Sequence, residues 1–556
     1  MEKINFDTLC ENVLKATLKN FSTAGIRSYN IKSKKMPSNN IIYNGAVRSA
    51  SPVTLIYTPA GSGTTQLIND RIDAIIKAGE EPGKIMVLNM NVSKCRQTRI
   101  KRPDVQVDTF TNFIQRLFDA NYPDFEVTDP VSMANFIRLM TDDKKAWTFA
   151  DIMDVPDKKE RMMLLTTYVN KNMKAIDELL STVRRCDFGL QSLVCQNLIY
   201  KFKNNPFDVN ALIVNGIHNL SLPILCTIMC YAQKYKCNLY MTGDPSRGIY
   251  DFNLAYPKSM DLIDSLDIDG INTIRLRQNT RISKEISNLI NLCDGSDLHD
   301  VTSININTYD EPLEDAIARE ISLQNNSYIR TLMEEGEPLL VLTRSKNDAL
   351  LIEDIMKNTY PADIPDINIT SLVAETTGPL TYARIAVDLY HELKETNPKI
   401  TLFDFVKAMK KRYKEIIALN DDPYITPYYS RDYTDMKSYF EHILPEFGSY
   451  KNSFDIYTLV FSLIDIESKY AKKEYEHMHE IADSDISESD IVITTIHAAI
   501  DLCCDNAIVV MNEYKDGTNH NLCRAAFSRA NKTEQVIFAN KGVTKNEYQQ
   551  YIERHT

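Results

Sequence analysis

Residues 57–66 carry the residue types that can cradle a phosphate group. They read YTPAGSGTTQ, follow the β-branched run VTLIY and precede the amphipathic run LINDRIDAII. Such a strand–loop–helix order aims backbone amides and a helix N-terminus at one anion. A working loop reads GxxxxGK followed by Ser or Thr. Here the matching positions are Gly61, Gly63 and Thr65, whereas Thr58 replaces the first glycine and Thr64 the lysine. Because that lysine supplies positive charge to the phosphates, we expect a poor catalytic loop.

The elements that must position this loop are short β-rich runs alternating with longer amphipathic stretches, a pattern typical of an α/β protein with parallel sheets. Five strand candidates form a first set, at 53–58, 84–89, 105–110, 211–215 and 238–243. A second set lies at 303–309, 338–344, 491–497, 506–511 and 534–539. Long, mainly helical segments interrupt both sets. The sequence therefore predicts two parallel sheets, each with a helical insertion.

Composition limits the class of protein. The 556 residues are 44% hydrophobic and 25% charged, which is ordinary for globular domains. The net charge of −12 argues against a histone-like coat for nucleic acid. Eleven cysteines have no disulfide or zinc spacing, so we expect free thiols, no metal and a cytoplasmic or other reducing compartment. The longest apolar stretch contains Pro223 and is too short to span a membrane.

Further segments occur in a fixed order along the chain. They are Val107–Phe113, Leu212–Leu220, Thr242–Phe252, Leu276–Arg281, Leu340–Arg344, Thr495–Leu502 and Ala525–Lys532. With the loop, they resemble the motifs of the UvrD/PcrA/Rep-like superfamily-1 DNA helicases, including TFHSF, VDEAQDL, VGDPDQSIYGF, TIHSAKGL and VALTRAKK. The resemblance implies two RecA-like parallel-sheet domains, each with a helical insertion.

The same resemblance implies specific domain boundaries. The first RecA-like domain is expected at 1–113 and 206–285, with an insertion at 114–205. The second is expected at 286–372 and 481–556, with a reduced insertion at 373–480.

The positions that differ from the family motifs are those that carry the chemistry. Where the family has the Asp-Glu pair that holds magnesium and activates water, this chain has Asn215 and Gly216. Arg247 replaces the glutamine sensor, and Ile500 and Asp501 replace a lysine and a glycine of the fifth motif. Asparagine is a feeble magnesium ligand and glycine cannot orient water. We therefore expect a pseudo-enzyme that has lost the binding of ATP and magnesium.

Two arginines of the family pattern are retained, Arg281 and Arg529. In the family they reach the γ-phosphate. Here they are interpreted either as partners in structural salt bridges or as groups that still bind an anion. The sequence leaves both interpretations open.

Nucleic-acid contacts are a second open question. The aromatic residues Phe110, Tyr250 and Phe252 fall in motifs that stack bases in the family, and Lys94 and Arg96 begin a basic helix where the family touches phosphate. The alternative is that the aromatic residues are packed in the protein and the charges form a solvated face. The acidic balance favours this alternative.

Three functions follow from the sequence. The leading one is a catalytically inactive interaction or adaptor protein that binds protein partners, without a membrane role. The second is a passive single-stranded or branched DNA-binding factor in replication or repair, and the third is a slow or partner-completed ATPase. The composition is rich in Asn, Ile and Lys, and the motifs have diverged from the family pattern. Both features are typical of a viral or phage origin. Partner identity and oligomeric state are not determined by the sequence.

Overall fold

The structure is a computed structural model that describes only part of the chain. The described residues are 11, 14–15, 17–31, 40–123, 126–128, 132, 135–136, 138–139, 185–187, 203–250, 255–265, 268–277, 303–309, 312–322, 327–359, 367–373, 382–397, 399–419, 455–482, 484, 486, 488–499, 502, 504–512 and 520–539.

The helices of the described residues fall between or beside the strands. They are α1 (Ile41–Val47), α2 (Thr64–Lys77), α3 (Val92–Lys101), α4 (Phe110–Asn121), α5 (Leu222–Tyr235), α6 (Ser259–Ser265), α7 (Leu313–Glu320), α8 (Ser327–Glu335), α9 (Lys346–Asn358), α10 (Tyr382–Thr396), α11 (Leu402–Leu419), α12 (Ile456–Ala482) and α13 (His520–Phe527). Among these residues, no helix is both long enough and apolar enough to cross a membrane.

The first sheet has six strands. They are β1 (Val53–Tyr57), β2 (Ile85–Asn89), β3 (Gln106–Thr109), β4 (Ala211–Asn215), β5 (Asn238–Gly243) and β6 (Ile271–Arg275). Their order is β3-β2-β4-β5-β1-β6, and every neighbouring pair is parallel. Inner strands such as β2 are buried along their whole length, as expected when helices cover both faces of a parallel sheet. The carboxyl ends of β1, β2, β4 and β5 therefore meet at one edge.

Apolar side chains of α2 hold that helix on the first sheet. Leu67, Ile68, Ile72 and Ile75 lie on one face of α2 and are buried with Ile56 of β1. Successive spacings of one, four and three residues place them on one face of a helix. The loop between β1 and α2 is thus anchored at both of its ends.

The second sheet repeats the arrangement. Its strands are β7 (Ser303–Tyr309), β8 (Leu339–Thr343), β9 (Ile369–Ser371), β10 (Ile491–Thr495), β11 (Cys504–Asn512) and β12 (Ala530–Ala539). The order is β9-β10-β8-β11-β12-β7, again with parallel pairs only. The predicted α/β fold with two parallel sheets is therefore confirmed, and each sheet has one strand, β6 or β9, that the sequence did not predict.

The chain divides into two compact units. One contains both six-stranded sheets and comprises Cys10–Leu117, Asn204–Ala374 and Met478–Thr556. The other comprises Met1–Leu9, Phe118–Lys203 and Glu375–His477. Within this second unit, Glu126–Thr128 pairs in parallel with Arg185–Asp187. The second unit thus contains most of the two segments predicted as insertions, and the finer domain boundaries stay a prediction.

Candidate functional site

The β1–α2 loop is shaped by two glycines and tied to β5 by a threonine. Gly61 and Gly63 have φ angles of 77° and 79°, in the left-handed region that glycine adopts without strain. Thr58 is buried, and its N–H donates to the carbonyl oxygen of Gly243 at 2.7 Å. Its hydroxyl donates to the same oxygen at 3.2 Å. The residue in the first glycine position therefore fastens the loop to the neighbouring strand.

A lysine from another helix reaches this loop. Lys94 lies in the first turn of α3, and its Nζ donates to Oγ1 of Thr65 at 3.0 Å. The lysine is only 7% exposed. Thr64, which stands in the motif's lysine position, is the first residue of α2. A positive charge is therefore present beside the loop, although it comes from a part of the chain that the motif does not include.

Asn215 ends β4 and is held by two hydrogen bonds to neutral side chains. Its Nδ2 donates to Oδ1 of Asn89 at 2.9 Å, and its Oδ1 accepts from the hydroxyl of Thr242 at 3.1 Å. The next residue, Gly216, has a φ of 89° and leads into the short 3-10 helix Ile217–Asn219. The position of the family's carboxylate pair is thus occupied by an amide network and a glycine. Neither residue can act as a general base.

These groups line one narrow cleft. It lies between α2 and α3, above the ends of β2 and β4, and its lining includes Thr65, Asn89, Lys94, Lys101 and Asn215. The lining contains two lysines and no carboxylate. The cleft therefore has a positive and neutral character, unlike a magnesium site, which needs several oxygen ligands and usually carboxylates.

Arg247 is paired within its own turn. Its Nε donates to Oδ2 of Asp244 at 2.8 Å, and its Nη2 approaches the carbonyl oxygen of Thr58 at 3.4 Å. Burial alone would raise the pKa of Asp244, but Arg247 and the hydrogen bonds from Ser246 outweigh it, so that this pKa lies below its usual range. Asp244 therefore neutralises the charge of Arg247, and the contact with Thr58 connects this turn to the β1–α2 loop.

His218 completes this turn as a neutral side chain. Its Nδ1 accepts a hydrogen bond from the N–H of Asp244 at 3.0 Å. Full burial, together with the nearby charge of Arg247, lowers the pKa of His218 to about 3. The histidine is therefore a fixed acceptor at neutral pH, and it does not carry a proton there.

Arg529 lies in the interior of the second sheet domain. It is 2% exposed, and its guanidinium donates to the carbonyl oxygen of Ala525 at 2.8 Å and to Oγ of Ser528 at 2.6 Å. A further N–H approaches the carbonyl oxygen of Leu502 at 3.4 Å. These contacts favour the structural interpretation of Arg529 over the anion-site interpretation.

The described candidates for nucleic-acid contact are mostly buried. Phe110 is 2% exposed and Tyr250 is 7% exposed, and stacking on bases requires an open ring face. Lys94 points into the cleft, whereas Arg96 is partly exposed on α3. This burial agrees with the alternative that the aromatic residues are packed in the protein, and nucleic-acid contact at Phe110, Tyr250 and Lys94 stays a prediction.

Four predicted site residues lie outside the described residues. They are Phe252, Arg281, Ile500 and Asp501. Sequence reasoning also missed Asn89 and Thr242, the two partners of Asn215. Both lie at or near the carboxyl end of a strand next to β4, so the order of the strands was the signal that would have identified them.

The residues present do not fit the magnesium–ATP pair that the family resemblance implies. The hydroxyl of Thr65 already binds an ammonium, and both side-chain ends of Asn215 are engaged. In the part of the chain that the structure describes, no group of three or more His, Cys, Asp or Glu residues could hold a metal ion. No protein-family model matches the chain, and no curated protein matches it either.

Proposed function

We propose that this chain is a helicase-like protein that does not hydrolyse ATP and that acts by binding protein partners. The observation that carries the proposal is the amide network of Asn215, Asn89 and Thr242 next to Gly216. Phosphoryl transfer depends on positioning and charge neutralisation by a metal, a base and a sensor. The groups that stand at the corresponding positions here bind one another and supply none of these functions.

Contacts between the two sheets support a rigid scaffold. Ile249 and Tyr250, which follow β5, belong to the same buried apolar cluster as Leu340 of β8 and Phe527 of α13. Tyr250 Oη also donates to the carbonyl oxygen of His497 at 2.6 Å. In a working motor, the cleft between such domains opens and closes with each nucleotide. A continuous apolar cluster opposes that motion, since opening would expose it to water.

Protein partners fit the charge of the chain better than nucleic acid does. Affinity for nucleic acid comes mainly from neutralising phosphates, and the chain carries a net charge of −12. Two of the aromatic residues that would stack on bases are buried.

The first test is ATP turnover by the purified chain with magnesium, with and without single-stranded DNA. We expect no turnover above that of a Thr65→Ala variant, which removes the hydroxyl at the loop. Turnover that is present in the original chain and abolished by Thr65→Ala would be intrinsic, and the proposal would then be wrong.

The second test addresses the partner. We expect cross-linking in cells that naturally contain the protein to yield a defined partner, whose binding to the purified chain is unchanged by Thr65→Ala. A fluorescent single-stranded oligonucleotide should not bind at low salt. If instead it binds tightly and its affinity falls steeply with salt, the function is nucleic-acid binding and the protein-partner proposal fails.

A further inference from the structure

Helix α11 carries aromatic side chains both in the interior and on the surface. Phe405 and Met409, one turn apart, are fully buried, and α11 packs against α10. Phe403 lies in the first turn of the same helix and is 78% exposed. Within the described part of the chain, it is the one aromatic residue among the exposed large apolar side chains. Because removing such a ring from water is favourable, Phe403 can serve as an anchor for a partner.

Two lysines follow Phe403 along the same face of α11. Lys407 and Lys411 stand four and eight residues after the ring, and both are exposed. Residues that are four apart are neighbours on one face of a helix. Phe403, Lys407 and Lys411 therefore form a single outward line, named here the Phe403 stripe. Its length is about 12 Å, because a helix rises by about 1.5 Å per residue.

The Phe403 stripe lies in a locally basic part of an acidic chain. Residues 399–412 contain five basic residues and one acidic residue, whereas the net charge of the whole chain is −12. The acidic residue is Asp404, whose Oδ2 accepts from the hydroxyl of Thr401 at 2.6 Å and whose N–H donates to Thr401 Oγ1 at 3.1 Å. Glu392 of α10 is paired with Arg412 of α11. Charge complementarity therefore favours an acidic partner on this face.

We propose that the Phe403 stripe docks an extended acidic segment of a protein partner. In this arrangement, an apolar side chain of the partner packs on the ring of Phe403, and its carboxylates face Lys407 and Lys411. Every second side chain of an extended segment lies on the same face, about 6.6 Å from the last, and four helical residues rise by about 6 Å. An apolar residue with Glu or Asp at every second position beside it therefore matches the stripe. This inference rests on the proposed function, because it names the surface and the chemistry of the protein partner.

Nucleic acid and a membrane surface match the Phe403 stripe less well. Single-stranded nucleic acid binds by stacking successive bases on several aromatic rings, whereas the stripe has one ring. A helix that lies in a membrane surface buries a broad apolar face. On α11, Val406 and Met409 are buried in the protein, and the exposed residues that follow Phe403 on its face are lysines. The experiment includes both alternatives as competing occupants.

The experiment measures the fluorescence anisotropy of a labelled synthetic peptide, Glu-Ser-Glu-Ser-Leu-Ser-Glu-Ser-Glu, as the full chain is added at low salt. The peptide is symmetric, so it presents the same spacing in either direction. We expect saturable binding that weakens as the salt concentration rises, because salt screens exposed charges. The same peptide with glutamine in place of every glutamate should bind about fivefold more weakly, since it has lost the ion pairs with the two lysines.

Variants of the Phe403 stripe test the surface itself. Phe403→Ala should weaken binding of the acidic peptide by about tenfold, the usual effect of removing an aromatic anchor. The double variant Lys407→Gln and Lys411→Gln should weaken it by about three- to tenfold, because it removes two exposed ion pairs. All three side chains are exposed, so the melting temperature of each variant should equal that of the original chain.

Matched controls make the same changes elsewhere on the surface. Ile41→Ala removes an exposed apolar side chain of α1, which is 85% exposed. The double variant Lys469→Gln and Lys472→Gln removes two exposed charges from α12. Both controls should bind the acidic peptide as tightly as the original chain does.

Four results would overturn the inference. These are a lack of saturable binding of the acidic peptide, equal binding of the glutamine peptide, binding that the stripe variants do not weaken, and tighter binding of an oligothymidylate or of phosphatidylserine vesicles that the same variants weaken. The comparison of the two peptides uses the original chain, so it is decisive even if a variant folds poorly. ATP turnover, which would overturn the proposed function, is a separate measurement. A failure of the peptide to bind would leave the absence of ATP hydrolysis untouched.

Discussion

Asn215 has a structural role at the end of β4. Its amide donates to Asn89 and accepts from Thr242 at the same time. A carboxylate accepts only and would face the oxygen of Asn89. Asn89 in turn uses its own Nδ2 toward Thr98 Oγ1 at 3.4 Å, so turning its amide around would lose that contact. The neutral side chain therefore fits this network better than the family's acid would.

Glu534 is the buried acid of the second sheet. It is 2% exposed, and neither of its carboxylate oxygens has a hydrogen-bond partner among the residues that the structure describes. Burial raises its pKa well above the usual range despite the charge of Arg529. The folded protein therefore keeps Glu534 protonated at a pH at which the unfolded chain has released the proton. The stability that this group contributes is complete below the unfolded pKa of about 4.5 and is lost as the pH rises toward the folded value.

Replacing Glu534 by glutamine, its neutral analogue, should remove the loss of stability that occurs as the pH rises. With Glu534→Gln, we expect the free energy of unfolding, relative to the original chain, to increase with pH by up to about 1.4 kcal/mol per pH unit above about pH 4.5. Urea unfolding at about pH 5 and about pH 8 measures the difference. The exposed Glu335→Gln on α8 should show no such trend. An equal difference at both pH values would mean that Glu534 is ionised in the folded protein.

At the scale of the element, two glycines in or next to helices differ in their backbone conformation. Gly45 lies in α1 and Gly79 just after the end of α2, and a Cβ added to either would meet no atom within 4 Å. The two positions differ in φ, because Gly79 has a φ of 102°. This left-handed conformation stops a helix and is strained for any residue with a Cβ.

The two glycines should therefore respond oppositely to alanine. Gly45→Ala is expected to stabilise the protein by about 0.5–1 kcal/mol through helix propensity. Gly79→Ala is expected to destabilise it by about 1–2 kcal/mol, because the left-handed backbone is retained with a side chain. Thermal unfolding of the two variants beside the original chain gives the signs directly. A shift of the same sign for both would show that free space, and not φ, controls the effect.

At the scale of the whole molecule, the two sheets are joined by a few contacts that come from the site itself. Asn91, the N-cap of α3, donates through Nδ2 to the carbonyl oxygen of Ala498 at 3.1 Å. Asn521 of α13 donates to the carbonyl oxygen of Gly248 at 3.1 Å. Segments beside the first sheet are thus hydrogen-bonded to segments beside the second, and Tyr250 lies among them.

Removing the Tyr250 ring should loosen the connection between the sheets. We expect Tyr250→Ala to cost about 3–5 kcal/mol, as for other buried aromatic residues, and to speed hydrogen exchange in 245–250 and 491–499 together. Tyr250→Phe removes the hydroxyl that donates to His497 and should cost about 1 kcal/mol. Exchange that increases in the first segment alone would contradict the idea that the cluster fastens both domains. The measurement is native-state hydrogen exchange with mass spectrometry.

The sequence alone predicted most of the strands, because inner strands of a parallel sheet are continuous apolar runs. Its resemblance to the helicase motifs also led to the prediction that Thr64, Asn215 and Gly216 stand at positions that are catalytic in that family, because these residues lie within short motifs. The strands β6 and β9 were missed because INTIR and ITS are short, only partly buried sequences. Such strands pair through the backbone at a sheet edge, and their side chains carry little apolar signal.

Only the tertiary structure decided which contacts the motif residues and their neighbours make. Lys94 and Thr65 are 29 positions apart in the chain, and they meet because parallel strands β1 and β2 deliver α2 and α3 to the same edge of one sheet. Arg529 and Tyr250 have the residue types of an active site, yet burial turns both inward. Residue type and local spacing determine which chemical groups stand in each motif. The placement of a side chain over long sequence distances determines which chemistry takes its place.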